Sequence, residues 1–135
     1  MQDIFVARVM STSLRTVTPD TLVEDAGQVM LENDIGSVIV VDDDGHLEGI
    51  LTTTDFVDIV AQSHPKADTT VSRYMSTDVV TASAQDSIRD VADLMVERGF
   101  KHVPVVDEEA GAIGIVTTTD LASYLSRLHS PSPEE

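Results

Sequence analysis

The sequence has no cysteine and no tryptophan, and only two of its 135 residues are lysine. Without cysteine the chain forms no disulfide, no thiolate metal site and no cysteine nucleophile. No apolar run reaches the roughly 18–20 residues of a membrane-spanning helix, and residues 1–15 lack the apolar core of a secretory signal peptide. These absences predict a soluble, cytoplasmic protein that neither spans nor binds a membrane.

Positive charge is scarce, because 24 Asp and Glu stand against 8 Lys and Arg and give a formal net charge of −16. Nucleic acid is therefore excluded as a partner, since its phosphates need clustered cations. The carboxylates are spread along a chain with clear hydrophobic periodicity, which argues against an acidic disordered tail. Asp-rich, Lys-poor folded proteins of this kind resemble those of salt-loving archaea, and we infer a halophilic source.

A repeat fills most of the chain. The segment 49–55 reads Gly-Ile-Leu-Thr-Thr-Thr-Asp and the segment 114–120 reads Gly-Ile-Val-Thr-Thr-Thr-Asp. Residues 6–61 aligned without gaps against residues 71–126, an offset of 65, give 19 identities in 56 positions. The chain is therefore two copies of one unit, and the fold must be predicted for that unit.

Each copy predicts the order strand, helix, strand, strand, helix, so the fold class is α/β (α+β). The helices show apolar residues at helical spacing, and the middle strand is a continuous Val-rich run typical of a strand buried on both faces. The predicted elements are 14–17, 22–33, 38–41, 47–51 and 56–62 in the first copy, and 79–82, 87–98, 103–106, 112–116 and 121–128 in the second.

Several residues predict where these elements begin and end. Thr21 and Glu24 match a capping box, in which each side chain bonds the other's backbone amide. Asp86 takes the same place in the second copy as an N-cap. Gly99 is expected to end its helix in a left-handed conformation, and Pro104 must lie at an edge or a bulge, where its missing N–H costs little.

The repeat also predicts the domain organisation. Residues 1–64 form the first unit with an N-terminal segment, and residues 65–129 form the linker and the second unit. The linker itself is placed at residues 63–70. The Ser- and Pro-rich residues 130–135 are expected to form a disordered tail.

The repeated turn carries the chemistry. The first N–H groups of a helix lack intrahelical partners and favour phosphate oxygens, and the hydroxyls of Thr52 and Thr54 add donors. Asp55 offers two acceptor oxygens, which suit the vicinal diol of a ribose. The alternative is that Thr54 only caps a helix and Asp55 only complements its dipole. The same turn is repeated at Thr117, Thr119 and Asp120. Caps tolerate several residue types, so capping alone would not keep the same residues in both copies, and we favour ligand binding.

Here the chain resembles the cystathionine-β-synthase (CBS) domain family. That family's nucleotide motif, Gly-apolar-x-Thr-x-x-Asp, stands intact at 49–55 and at 114–120. The resemblance also covers the Val-rich strand ending in Asp42 or Asp107, and it spans roughly residues 6–128. It implies two units packed sheet to sheet around a pseudo-twofold axis, with two clefts that bind AMP, ADP, ATP or S-adenosylmethionine.

The resemblance also implies which residues meet. Each cleft takes its motif from one copy and the segment before the Val-rich strand from the other. Asp55 would then lie with Lys101 and His102, and Asp120 with Ser37. We expect the cleft containing Lys101 and His102 to prefer phosphorylated nucleotides and the other cleft to tolerate a less charged ligand; the alternatives are a solvated lysine and a packed histidine.

By the same resemblance, adenine lies beside the first short strand of each copy, and the motif Asp and Thr side chains contact ribose or phosphate. The predicted ligand-binding residues are Thr16, Val17, Ser37, Thr52, Thr54, Asp55, Thr81, Ala82, Lys101, His102, Thr117, Thr119 and Asp120.

These features predict a non-catalytic regulatory module that binds an adenosyl ligand and signals its occupancy to a partner, an enzyme or a transporter, as a homodimer. An assembly scaffold with empty clefts is the alternative. An enzyme is the weakest hypothesis, because no nucleophile–base pair or metal cluster accompanies the motif. No cofactor and no metal site are expected: the acidic run Asp42-Asp43-Asp44-Gly45 lacks calcium-loop spacing, and the histidines lack zinc spacing.

Overall fold

The structure, a computed structural model, describes residues 4–62 and 69–129. Most of the predicted linker and the whole predicted tail lie outside these residues. The elements of the first copy are α1 (Val6–Val9), β1 (Thr16–Val17), α2 (Val23–Asn33), β2 (Ser37–Val41), β3 (Leu47–Thr52) and α3 (Thr53–Ala61). The second copy contains a 3-10 turn (Val71–Arg73), α4 (Ile88–Arg98), β4 (His102–Asp107), β5 (Gly111–Thr117) and α5 (Thr118–His129).

The mixed α/β class and the repeated unit are confirmed. None of the helices within the described ranges has the length and apolar character needed to cross a bilayer. In α2 the side chains of Val23, Ala26 and Met30 are buried, and in α4 those of Val91 and Met95 are buried. These stripes, predicted from helical spacing, pack each helix onto the core of its own copy.

The predicted caps of these two helices are wrong. The Thr21 hydroxyl accepts the N–H of Thr18 at 3.1 Å, and the Asp86 carboxylate accepts the N–H of Ser83 at 2.9 Å. Both side chains therefore close the turn before the helix, and each helix begins later. Ser87 caps α4 by accepting an amide of its first turn. The left-handed stop at Gly99 is confirmed, with φ +74°.

The strands form two sheets, ordered β1-β2-β3 and β4-β5. All five residues of β2 are buried, as the Val-rich run predicted. In the first copy Thr16 pairs in parallel with Ile39. The equivalent residue to Ile39 is Pro104, whose carbonyl accepts the Ala82 N–H at 2.9 Å. Because proline has no N–H to donate, the pairing there shrinks to a single bridge at Ala82.

The opening segment of each copy packs on the other copy; we call residues 4–11 and 69–76 the crossing segments. Val6 is fully buried in the core of the second copy, and Val71 in that of the first. Ser11 exchanges two backbone hydrogen bonds with Ile115, at 2.8 and 3.0 Å. The equivalent Ser76 exchanges two with Ile50, at 3.0 and 2.9 Å. The two copies are thereby joined along β3 and β5.

The first glycine of each repeated motif makes this crossing possible. A Cβ built on Gly49 would lie 2.6 Å from the carbonyl oxygen of Ser76 and 3.0 Å from the sulfur of Met75. A Cβ on Gly114 would lie 2.8 Å from the sulfur of Met10. Only glycine leaves room for a neighbouring backbone this close. The motif glycines therefore serve the packing of the two copies.

Candidate ligand-binding clefts

The helices that follow the repeated turn begin three residues earlier than predicted. Helix α3 begins at Thr53 and α5 at Thr118, where the sequence predicted residues 56 and 121. Consequently Thr52 and Thr117 precede the first helical residue, and the alternative interpretation, in which Thr54 and Thr119 cap these helices, is wrong. The repeated Asp is the third residue of each helix, with its carboxylate at the helix start.

The carboxylates at this position take part in capping. Oδ2 of Asp55 accepts the N–H of Thr52 at 2.8 Å. Oδ2 of Asp120 accepts the N–H of Thr117 at 2.8 Å, and the Asp120 N–H returns a 3.1 Å bond to the Thr117 hydroxyl. Oδ2 of each Asp therefore has a capping role that the alternative interpretation, which gave the Asp residues only to the helix dipole, did not include. Within residues 4–62 and 69–129, no hydrogen bond engages Oδ1 of either side chain.

Each Asp borders a cleft formed by both copies. The Asp55 cleft has a volume of about 310 Å³ and the Asp120 cleft about 360 Å³. At the repeat offset, nearly every residue of one cleft has its counterpart in the other. The Asp55 cleft is lined by Ile50, Thr52, Thr53, Thr54, Asp55, Ser76, Asp78, Val79, Val80, Gly99, Phe100, Lys101 and His102. The Asp120 cleft is lined by Ser11, Ser13, Leu14, Arg15, Asp34, Ile35, Gly36, Ser37, Ile39, His102, Ile115, Thr117, Thr119 and Asp120.

The structure thus brings Asp55 together with Lys101 and His102, and Asp120 together with Ser37. Each pair joins the motif of one copy to the segment before the Val-rich strand of the other. The N–H of Thr118 donates to the carbonyl of Lys101 at 3.0 Å. In the first copy the N–H of Thr53 donates to the carbonyl of Gly36 at 3.1 Å. These bonds fix the start of each helix beside the Val-rich strand of its own copy, and the next residue of each helix, Thr54 or Thr119, lines a cleft.

The structure does not bring Thr16, Val17, Thr81 or Ala82 into either cleft. Val17 and Ala82 are buried in the two cores, and the two threonines are exposed. Strand pairing points Val17 and Ala82 toward the cores and leaves Thr16 and Thr81 exposed outside the clefts, so the cleft walls are formed by the residues just before them. The residues that replace them are Ser13, Leu14 and Arg15 in one cleft, and Asp78, Val79 and Val80 in the other.

Arg15 is a cleft cation that the sequence reasoning missed. Its Nε donates to Oδ1 of Asn33 at 2.9 Å, which anchors the guanidinium at the Asp120 cleft. The Asp120 cleft therefore has two carboxylates, Asp34 and Asp120, and one cation. The Asp55 cleft also has two carboxylates and one cation, Lys101. Formal charge alone gives no reason for the two clefts to prefer differently charged ligands, which removes the basis on which that preference was predicted.

His102 differs from all other cleft residues because it lines both clefts. Burial lowers the pKa of its imidazole below the ordinary value, the Lys101 ammonium lowers that pKa further, and the Asp120 carboxylate acts in the opposite direction. The neutral imidazole is therefore the favoured form at neutral pH.

The acidic turn that the sequence reasoning discounted as a metal loop brings Asp42, Asp44 and His46 together, with ligand atoms within 4.8 Å of one another. Oδ1 of Asp42 accepts the N–H groups of Asp44 and His46, both at 2.9 Å. These bonds close the hairpin turn. They also lower the pKa of Asp42, and the bond from the His46 N–H has the largest effect. The carboxylate thus has a structural role, as its counterpart Asp107 has in the second copy.

Comparison with known proteins gives matches along most of the chain. A family model described as the CBS domain matches residues 6–62 and again residues 71–127. An uncharacterized 17.7 kDa protein of Acidianus ambivalens is 31% identical over 125 residues, 93% of this chain and 75% of that protein. The choline transport ATP-binding protein OpuBA of Bacillus subtilis is 35% identical over 120 residues, 89% of this chain but 30% of that protein.

A solved structure has the same fold. The crystal structure of the CBS domain pair of protein MJ0100, in complex with 5′-methylthioadenosine and S-adenosyl-L-methionine, superposes with a TM-score of 0.87. It is 26% identical in sequence, and the match covers 94% of this chain and 99% of that one. Because the family model matches both copies of the repeat, the chain belongs to the CBS domain family and contains a tandem pair of CBS domains.

Proposed function

We propose that this chain is a non-catalytic regulatory module that binds an adenosyl ligand in each of its two clefts. The observation that carries the proposal is the position of Asp55 and Asp120. Each carboxylate borders a cleft built from both copies, uses Oδ2 to hold the helix start, and keeps Oδ1 clear of the described hydrogen bonds. One side chain can therefore cap the helix and bind a ribose hydroxyl at once.

The chemistry of the walls agrees with an adenosyl ligand. The hydroxyls of Thr54 and Thr119 stand beside the carboxylates at the helix starts, where amides carry partial positive charge and favour phosphate. Aliphatic side chains, Leu14 in one cleft and Val79 and Val80 in the other, offer an apolar surface for adenine. Each cleft also has a cation in its wall, Arg15 or Lys101, which can bind a phosphate or a carboxylate of the ligand.

The MJ0100 domain pair supports the ligand class, because its structure contains 5′-methylthioadenosine and S-adenosyl-L-methionine. The match to part of OpuBA supports a regulated partner that is a transporter or an enzyme, joined to the module in one chain or bound to it. Ligand binding changes the partner only if the ligand has different affinities for two arrangements of the module. A cleft formed by two copies meets this condition whenever the copies move relative to each other.

The chain is expected to form a homodimer through helix faces. Leu31 of α2 and Val57 and Val60 of α3 are 79%, 68% and 70% exposed. A groove of about 530 Å³ lined by Gly27, Leu31 and Phe56 lies between the same helices. Exposed apolar side chains of this kind favour association. Light scattering coupled to gel filtration in molar salt would give twice the mass of the chain, and a monomer mass would rule the dimer out.

The test of function is calorimetric titration with S-adenosylmethionine, 5′-methylthioadenosine, AMP and ATP in molar salt. A regulatory module gives saturable heat with at least one of them. A pure assembly scaffold gives none, while its dimer persists. An enzyme would consume the ligand, which chromatography of the titrated sample would detect as a new product.

A further inference from the structure

His102 breaks the pseudo-twofold symmetry of the two clefts. At the repeat offset its counterpart is Ser37, and the counterpart of Lys101 is Gly36. The Cε1 atom of His102 lies 3.5 Å from the position that a Cβ on Gly36 would occupy. The large ring of the second copy therefore lies against a position of the first copy that has no side chain. Ser37 is too short to make the reciprocal contact across the axis.

The His102 ring is only partly buried, but one of its nitrogens is enclosed. Its Nδ1 is buried and has no hydrogen-bond partner among the residues that the structure describes. A buried polar atom without a partner costs free energy, which a ligand recovers if it supplies the missing bond. Because the same ring forms part of the wall of the Asp55 cleft and of the Asp120 cleft, a ligand can approach it from either side.

We propose that His102 couples the two clefts, so that a ligand bound in one weakens binding in the other. This inference rests on the proposed function, because it needs an adenosyl ligand in each cleft. A neutral imidazole has one N–H donor and one acceptor nitrogen, and its ring takes one orientation at a time. The ligand that binds first sets the tautomer and the orientation, and the second ligand meets a ring already engaged.

Charged groups face the ring from both sides. Asp55, Asp78 and Lys101 line the Asp55 cleft with it. Arg15, Asp34 and Asp120 line the other cleft with it. The Lys101 ammonium disfavours a charged ring and the Asp120 carboxylate favours one, so the two clefts act on the imidazole in opposite directions. The coupling must be reciprocal, because each ligand changes the affinity of the other by the same factor.

Calorimetry measures the coupling. Asp120→Ala leaves only the Asp55 cleft competent, and Asp55→Ala leaves only the Asp120 cleft, so each variant gives an intrinsic Kd for AMP and for S-adenosylmethionine. In the unmodified protein the second binding step should be about fivefold or more weaker than the intrinsic Kd of that cleft, within the range usual for coupled sites. His102→Ser, which gives the second copy the residue of the first, should reduce this ratio to less than about twofold. His46→Ser removes an exposed histidine outside both clefts and is the matched control.

A ratio of one in the unmodified protein, or the same ratio in His102→Ser, overturns the coupling while the binding function stands. No heat in any protein overturns the binding function itself, and the coupling with it. A second readout does not depend on affinity. The NMR resonance of the His102 Cε1 proton should move when ligand is added to Asp55→Ala and also when it is added to Asp120→Ala. A shift in only one of the two contradicts a shared ring.

Discussion

The N–H of Thr117 lies 2.8 Å from Oδ2 of Asp120, and the Asp120 N–H lies 3.1 Å from the Thr117 hydroxyl. This reciprocal pair joins the last residue of β5 to the first turn of α5. The pair occupies one carboxylate oxygen and leaves Oδ1 outside the described hydrogen bonds, so the proposed ligand role is compatible with capping. Capping and binding are therefore separable by mutation.

Asp55→Asn should separate the two roles. Asparagine keeps an oxygen that can accept the Thr52 N–H, so the free energy of unfolding should change little, whereas Asp55→Ala should lower it by about 1 kcal/mol through loss of the cap. Both variants lose the charge-assisted bond to a ribose hydroxyl, so both should weaken ligand binding in that cleft about tenfold or more. Urea denaturation and calorimetry measure the two effects. If Asp55→Asn binds as the unmodified protein does, the carboxylate is only a cap.

Gly49→Ala and Gly114→Ala should destabilise the protein through the crossing segments. The new Cβ on Gly49 would press on the Ser76 carbonyl, and that on Gly114 on Met10 and Ser11. Overpacking of this kind costs about 1–3 kcal/mol, which urea denaturation in molar salt would measure.

Gly36→Ala is the control for both, because its nearest contact would be an ordinary 3.5 Å. Equal stability of all three variants would show that the crossing segments do not pack as closely as the structure has them.

The stability of the protein should depend on the ionisation of His102. Its pKa in the folded state lies below the ordinary value of 6.5, so the unfolded chain binds the proton more readily. The free energy of unfolding must then fall as the pH decreases through about 6.5, and the fall ends below the folded-state pKa. His102→Ser should lose this part of the pH dependence. Thermal melting from about pH 8 to pH 5 checks the prediction, and the same slope in both proteins contradicts it.

Salt should strengthen the binding of phosphate ligands. A chain of formal charge −16 repels AMP and ATP at low ionic strength, and the Debye length falls from about 10 Å at 0.1 M salt to about 3 Å at 1 M. Affinity for ATP should therefore rise with salt while the chain stays folded, as circular dichroism would verify. 5′-Methylthioadenosine carries no phosphate and should respond less. Affinity for ATP that falls steadily with salt would contradict this account and the inferred halophilic source.

Much of the fold could be predicted from the sequence because the repeat checks each element twice. The buried β2 strand, the apolar stripes of α2 and α4 and the stop at Gly99 all follow from local patterns. The caps at Thr21 and Asp86 were wrong because a polar side chain before a helix can close the preceding turn as well as cap the helix. Local pattern alone does not choose between these two partners.

The clefts could be predicted only in part. The placement of Asp55 in one cleft with Lys101, and of Asp120 in the other with Ser37, was predicted from a family resemblance. In the structure the residues line the two clefts in this way. The wall residue Arg15 was missed because the resemblance placed the ligand beside Thr16 and Val17, whereas the structure leaves Thr16 exposed outside the clefts and buries Val17 in the core. The exchange of crossing segments is a long-range arrangement that no local pattern encodes. In the sequence it is reflected only in Gly49 and Gly114, which leave room for the crossing segments.

The stoichiometry of adenosyl binding to matched variants tests whether Asp55 and Asp120 hold ligands. Calorimetry with S-adenosylmethionine and AMP in molar salt should give two sites per chain in the affinity range of the unmodified protein, one such site for Asp55→Ala, one for Asp120→Ala and none for the double variant. Unchanged stoichiometry in the double variant, with its fold intact, would show that the repeated carboxylates hold only the helices.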